Sequence, residues 1–473
     1  MLLRELTGEV VIVIGAAVIV IFSVFASRQR QAVAAGLALA TCGAAAGLIA
    51  HAMATGEQEL TMQGVWSLDR VARSAELLIL AVTALTIALS PEWLRRDVRH
   101  GEWYALLLFS AAGAMAMASA SDSLQLVVGV LLSSATGYVL AAYHRRSALS
   151  VEAGAKYFLI GALANVALLT GVAVLFGLTG TTRYAAMFGP LDDRSVTALV
   201  AVVGLVTVAL AFKIGAVPAH AWVPDVAQGA PAPAAAFLTV VPKVGGLVAL
   251  ARILAVLPDD AVGWRLTAAL LAAITMTVGN LAALWQDDVR RLLGWSSVSQ
   301  AGFALMAVPV VGRSDQALTA LMVFLVAYAV AQLAAFGVVT ELRGRTALGD
   351  YHGLAASRPL PAVALVVALL SLIGVPPLIG FSGKLLLFTA TIDGGYAWLA
   401  VVGVANTVIS LFYYLRVIAP VAFDRPRPRV PAPLPLLGQW SALGTAVASL
   451  AVVGLGLGVE SIIDVVERAQ LLP

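Results

Sequence analysis

The sequence predicts an all-α integral membrane protein of about 14 transmembrane helices, with an inverted repeat and two broken helices. Three observations predict it. Hydrophobic residues fill 61% of the 473 positions and charged residues 12%, and the mean hydropathy is +0.95, too apolar for a soluble core. Apolar runs of roughly 20 residues, enough to cross about 30 Å of hydrocarbon, recur along the chain. Arginines gather in alternate loops.

The runs lie near 8–26, 32–52, 72–90, 103–120, 123–143, 156–178, 195–228, 234–257, 264–284, 292–311, 316–340, 359–390, 397–421 and 437–460. The first carries no small-residue cleavage site and reads as a membrane helix, not a removed signal. The seventh and twelfth runs are too long for one straight crossing and contain breakers: Pro218 and Pro224, then Gly374, Pro376 and Pro377. Broken helices in a bilayer must face protein or water, because freed backbone groups need partners. Two of them in corresponding halves suggest an inverted repeat with mid-membrane sites. Loops after odd-numbered runs hold 16 basic residues, among them Arg28, Arg96, Arg99, Arg145, Arg146, Arg427 and Arg429. Opposite loops and both ends hold eight, including Arg4, Arg194 and Arg468. The positive-inside rule then places both termini on the outer side. Trp66, Trp93, Trp103 and Tyr104 stand where interface anchors are expected.

Only four lysines accompany 25 arginines, and Lys213, Lys243 and Lys384 sit deep in apolar runs. Arg does not release its proton in a protein, whereas a buried Lys can. Lysines reserved for the membrane interior therefore point to proton exchange. The competing reading, helix-end lysines reaching back to headgroups, fits poorly because all three lie well inside their runs. Lys213 immediately precedes the first break and Lys384 follows the second.

Other classes are excluded or disfavoured. A single cysteine, Cys42, gives no disulfide framework and no cysteine-based metal or iron–sulfur site. No phosphate loop follows a strand, and the net charge of +3 gives no case for nucleic acid. Redox or nucleotide chemistry is left to partner chains.

Several motifs then carry a resemblance. Lys213-Ile214-Gly215-Ala216-Val217-Pro218-Ala219-His220-Ala221-Trp222-Val223-Pro224-Asp225 with Gly229-Ala230-Pro231 is one; Lys156-Tyr157-Phe158 is another. Thr275 to Leu281, Arg290 to Ser297, Gly374 to Lys384 and Tyr413 to Ile418 complete the series. Together, over about residues 70–421, they resemble the antiporter-like membrane subunits of respiratory complex I, the N type more than L or M. The resemblance implies a subunit of a translocase with no redox site of its own. NADH and quinone would bind elsewhere, and FMN and iron–sulfur clusters would belong to partner subunits. It implies neighbouring antiporter-like subunits as partners, a lipid bilayer around them, and the bacterial inner (cytoplasmic) membrane as location. It divides the chain into three amino-terminal helices (1–100), two repeat halves (101–257 and 258–421), and a cytoplasmic loop with a last helix (422–473). By motif, Lys213, Lys243, Lys384 and His220 fall on the family's proton pathway; Gln332, in the eleventh run, is a candidate either to line it or simply to bond a neighbouring helix.

Two positions depart from the family pattern. Aligning Gly129, Ser134 and Tyr138 puts Leu131 where the fifth-helix glutamate stands, and Gln300 replaces a histidine. A buried Lys without a nearby carboxylate favours the neutral amine, and Gln cannot take up a proton near neutral pH. Either another carboxylate substitutes, with Glu76 the candidate, or pumping has changed. Glu76 as a helix-entry carboxylate paired with Arg73, and Asp225 as a cap on the half-helix, are the structural alternatives. Arg252, inside the eighth run, requires a partner, and a structural ion pair is the simplest. The expected function is proton translocation in a complex-I-like NADH-quinone oxidoreductase. The alternatives are a coupling subunit of a membrane-bound hydrogenase or cation/proton antiporter complex, or a non-pumping spacer.

Overall fold

In the computed structural model, residues 5–27, 30–56, 58–95, 97, 100–187, 195–425, 439–466 and 471–472 are described. Arg4, Arg28, Arg96, Arg99, Arg194, Arg427, Arg429 and Arg468, part of the loop-charge pattern, lie outside them.

Each apolar run contains a helix. The amino-terminal part holds α1 (Thr7–Phe25), α2 (Val33–Thr55) and α3 (Arg70–Leu89), with the short α4 (Pro91–Leu94) after them. A two-residue hairpin, β1 (Leu60–Thr61) against β2 (Trp66–Ser67), precedes α3 and was not legible as strand. Next come α5 (Gly101–Ala118), α6 (Ser123–Ala141), α7 (Ala148–Thr179), α8 (Val196–Ile214), α9 (Trp222–Gly229) and α10 (Ala232–Ala255). After the short α11 (Asp259–Val262) follow α12 (Trp264–Ala283), α13 (Val289–Leu305) and α14 (Ala317–Glu341). The remainder is α15 (Leu354–Ser357), α16 (Pro359–Ile373), α17 (Ile379–Asp393), α18 (Ala397–Phe423), α19 (Gln439–Leu457) and α20 (Val459–Val466). Among the described residues, 11 helices are long and apolar enough to span a membrane. The rest of the expected crossings are shorter or less apolar: α5, α13, and α16 with α17 on either side of a break.

Both breaks fall where the glycines and prolines predict. Helix α8 stops at Gly215, whose φ of +77° only glycine adopts cheaply, and α9 resumes at Trp222. The loose turn is tied down: Trp222 Nε1 donates to the Phe212 carbonyl, and the Val217 amide donates to Thr275 Oγ1. Helix α16 stops at Gly374 (φ +97°), and α17 resumes at Ile379. The pairing pattern recurs: α5 packs on α6 as α12 packs on α13, and α7 packs on broken α8 as α14 packs on broken α16–α17.

Two helices form the centre. All residues of α10 from Ala232 to Leu254 are buried, and α14 is nearly as enclosed. A helix apolar all round must be surrounded by protein or lipid; here it is protein. Small residues permit the approach: a Cβ on Gly245 would lie 2.4 Å from the Ala114 carbonyl oxygen. Trp93, Trp103 and Tyr104, expected as interface anchors, are buried, and Trp103 donates to Ser90 Oγ. The ring–polar pairing that suits a membrane interface suits an interhelical hydrogen bond as well.

Candidate functional site

The three membrane lysines are interior. Lys213, Lys243 and Lys384 are 1%, 2% and 4% exposed, so none reaches back to headgroups. Lys243 sits one residue after Pro242, inside α10. Proline cannot donate to the carbonyl four residues back, which loosens that turn. In the same turn the Thr239 carbonyl lies 2.9 Å from Tyr328 Oη of α14.

A polar chain starts from that point. Lys243 Nζ donates to the Ser297 carbonyl at 2.5 Å and to Ser297 Oγ at 2.9 Å, and it lies 4.4 Å from the Tyr328 ring centroid. Tyr328 Oη is 2.8 Å from Ser297 Oγ, so its one proton serves either Ser297 or Thr239 at a time. Gln332 Nε2 reaches Thr239 Oγ1 at 3.4 Å, which places Gln332 on the same chain. On the other side of Tyr328 a cavity of about 10 Å³ is lined by Gln300, Tyr328, Ser371 and Lys384. That is roughly the space of one water. Lys384 Nζ donates to the Ile373 carbonyl, one of those freed by the second break, at 2.9 Å. Gln300 Nε2 donates to the neighbouring Leu372 carbonyl at 3.1 Å and approaches Tyr414 Oη, which pairs with Ser296 Oγ.

The fold thus brings Lys243, Gln300, Gln332 and Lys384 into one polar seam. It does not bring Lys213, His220 or Glu76 into direct contact with them. Lys213 Nζ, at the end of α8, is buried without a hydrogen bond among the described residues; its stem packs beside Gly246 of α10. His220 lies in the first break, its ring 5.5 Å from that of Trp295. Glu76, considered as a substitute partner for Lys213, instead meets Ser119, Glu9 and Arg73.

Leu131 answers the question of the missing glutamate differently from expectation. It is 40% exposed, on the outer face of α6 with Leu124, Val128 and Val139. A carboxylate there would point away from the buried lysines. Those four residues form one helical stripe. Asp225 is no cap: it holds Lys156 Nζ at 2.9 Å and Arg291 Nη1 at 2.6 Å, joining α7, α9 and α13. Tyr328, Thr239 and Ser297 join the seam without any mark in the sequence. Ser297 ends the Arg290–Ser297 motif, but a hydroxyl among helix residues gives no signal of its own.

A family model described as "NADH:quinone oxidoreductase/Mrp antiporter, TM" matches residues 120–410, more than half of the chain. The chain belongs to this family. It is 45% identical over 433 residues to NADH-quinone oxidoreductase subunit N of Mycobacterium sp. (strain JLS), covering 92% of each chain. It is 42% identical to subunit N 1 of Streptomyces griseus subsp. griseus, covering 96% of each. Its fold superposes on a chain of respiratory complex I from Thermus thermophilus, solved with bound aureothin. The TM-score is 0.83 at 29% identity, over 97% of this chain and 98% of that one. The antiporter-like fold class read from the motifs is the one found. Among the described residues no group of three or more His, Cys, Asp or Glu side chains is placed to hold a metal.

Proposed function

We propose that this chain is the N-type membrane-arm subunit of an NADH-quinone oxidoreductase and that it carries protons along its lysine row. Redox chemistry would take place in partner subunits holding FMN, iron–sulfur clusters, NADH and quinone. Neighbouring antiporter-like subunits would flank it in a bacterial inner membrane. The distribution of loop arginines supports both termini on the outer side. The observation that carries the reading is the seam from Gln332 and Lys243 through Ser297 and Tyr328 to the cavity at Lys384. Amines held out of water, bridged by hydroxyls and one water-sized space, can pass a proton by short steps, with Lys213 and His220 as entry groups on the α8–α9 break. Likeness to subunit N along nearly the whole chain supports the same reading.

A second reading has one observation in its favour: the matching family model also covers Mrp antiporters. In that case the chain would be a coupling subunit of a hydrogenase or cation/proton antiporter assembly. Affinity purification of the tagged chain distinguishes them, because co-purifying NADH-dehydrogenase and quinone-site subunits support the first reading and hydrogenase or antiporter partners the second. Replacing Lys243 by Ala in the assembled complex tests transport itself. Proton uptake by inverted vesicles per NADH oxidised is expected to fall; unchanged uptake with intact assembly would leave the subunit a spacer.

A further inference from the structure

Away from the lysine row, two carboxyl groups face each other between helices. Glu9 begins α1 and is 8% exposed; Glu76 lies one turn further into α3 than Arg73 and is 1% exposed. Their side chains are within hydrogen-bonding reach of each other, and Glu76 Oε1 also accepts from Ser119 Oγ at the end of α5. Neither Glu9 oxygen nor Glu76 Oε2 finds a side-chain donor among the described residues. Two ionised carboxylates cannot rest together in so dry a place, since Ser119 is the one side-chain donor they share among the described residues and each would repel the other. A single proton between them removes both penalties. Arg73 is the cation facing the pair, close enough to act on both, yet it forms no close ion pair with either.

Arg73 lies between the site and the surface. A pocket of about 240 Å³ opens beside it, lined by Gly56, Gln58, Arg70 and Arg73 among others. Arg73 therefore stands between the pocket and the carboxyls. This end of the molecule is the one where α1 and α3 begin and α2 and α5 end.

We infer that Glu9 and Glu76 form a carboxyl pair that binds one exchangeable proton and opens to water through the Arg70–Arg73 pocket. The charge count makes the singly protonated state the resting one. One carboxylate, one carboxylic acid and the Arg73 guanidinium sum to zero. A second proton leaves a buried excess of +1, and loss of the proton leaves −1; each state is penalised by burial and returns a proton to, or takes one from, the pocket. A metal cation is a poor alternative occupant because Arg73 repels it. Under the proposed function, on which this last step rests, the pair is a terminus where protons meet the aqueous phase on that face.

The test uses the intact complex in membranes. An apolar carbodiimide adds to a protonated buried carboxyl and not to a carboxylate, and peptide mass spectrometry locates the adduct. Wild type is expected to label at Glu9 or Glu76. In Glu76→Gln the remaining Glu9 has Arg73 to itself and ionises, so its labelling is expected to fall several-fold. Glu76→Asp, which keeps the pair, is expected to retain it. Absence of label on both in wild type, unchanged labelling of Glu9 in Glu76→Gln, or protection by sodium ions at constant pH would overturn the inference. Proton yield per NADH is read on the same membranes, with a several-fold loss expected in Glu76→Gln. Expected labelling with unchanged yield would overturn the terminus while the pair stands. A failure of Lys243→Ala to affect pumping would count against the proposed function and leave the labelling result untouched.

Discussion

At the scale of single residues, the chemistry rests on amines whose surroundings offer neutral oxygen acceptors in place of carboxylates. Lys243 has the Ser297 carbonyl and hydroxyl, and Lys384 has the Ile373 carbonyl. Such acceptors stabilise the ammonium by hydrogen bonding without fixing its charge as an ion pair would, which leaves the proton transferable. This separates two substitutions of similar size. Lys243→Arg keeps a cation and hydrogen bonds, but Arg holds its proton about 2–3 pKa units more tightly, so release is roughly 100-fold or more less favourable. The subunit is expected to assemble normally and proton uptake per NADH to collapse; uptake near the wild-type level would mean Lys243 supplies only charge. Gln300→His is the converse change. It restores a titratable group beside Tyr414 and the Lys384 cavity, and is expected to make the pumping rate vary with pH between about 5 and 8, the range in which histidine titrates. A pH profile superimposable on wild type would place Gln300 off the path. The lysines were legible in the sequence because their scarcity among arginines marked them. Their hydroxyl partners were not: Ser297, Tyr328 and Thr239 are ordinary helix residues until α10, α13 and α14 are packed together.

At the scale of elements, each break was legible from proline and glycine, while the role of those glycines appears only in three dimensions. A Cβ on Gly380 would lie 1.8 Å from the Ser371 carbonyl oxygen, backbone that cannot swing aside. This close approach lets the first turn of α17 rest on the last turns of α16 and positions Lys384 beneath the break. Gly380→Ala is expected to push the half-helices apart and to lower the amount of subunit retained in membranes, measured by immunoblot. Gly36→Ala, where no atom lies within 4 Å of the added Cβ, is the matched control and should be silent. Gly374→Ala is milder. It strains a φ of +97° by roughly 1–2 kcal/mol and presses on the Lys384 stem, whose Cδ would be 3.1 Å away. It is expected to assemble with reduced pumping; full pumping would show that the Lys384 geometry has slack. Helix phase explains the departure at Leu131 in the same terms. The rotation of α6 turns the Leu131 position outward, toward lipid or a neighbouring subunit.

At the scale of the whole molecule, one buried ion pair ties distant parts of the chain to the central helix. Arg252 near the end of α10 donates to Asp69 Oδ2 at 2.6 Å, and both side chains are almost wholly buried. Asp69 caps α3 through the Ala72 amide and also accepts from Ser67 Oγ in β2. The same guanidinium reaches the Ala118 carbonyl at the end of α5 and the Leu472 carbonyl in the carboxy-terminal tail, whose amide returns to Asp69. The need for a partner at Arg252 was legible; Asp69, 183 residues earlier in the chain, was not, because a cap residue does not advertise a second use. The pair gives the amino-terminal helices, the core and the tail a common anchor on the face where the Glu9–Glu76 site opens. Removing the cation alone strands a carboxylate in an apolar place, at a cost of about 3–5 kcal/mol. Arg252→Ala is therefore expected to lower the thermal stability of the purified complex and to release this subunit first on heating in detergent. Removing both charges with Asp69→Ala and Arg252→Ala takes away the stranded charge and leaves the cost of the lost cap, about 1 kcal/mol, and of the cavity. The double variant should accordingly be more stable than Arg252→Ala. If it is equally unstable or worse, the guanidinium's bonds to the Ala118 and Leu472 carbonyls, and not its charge, hold these parts together.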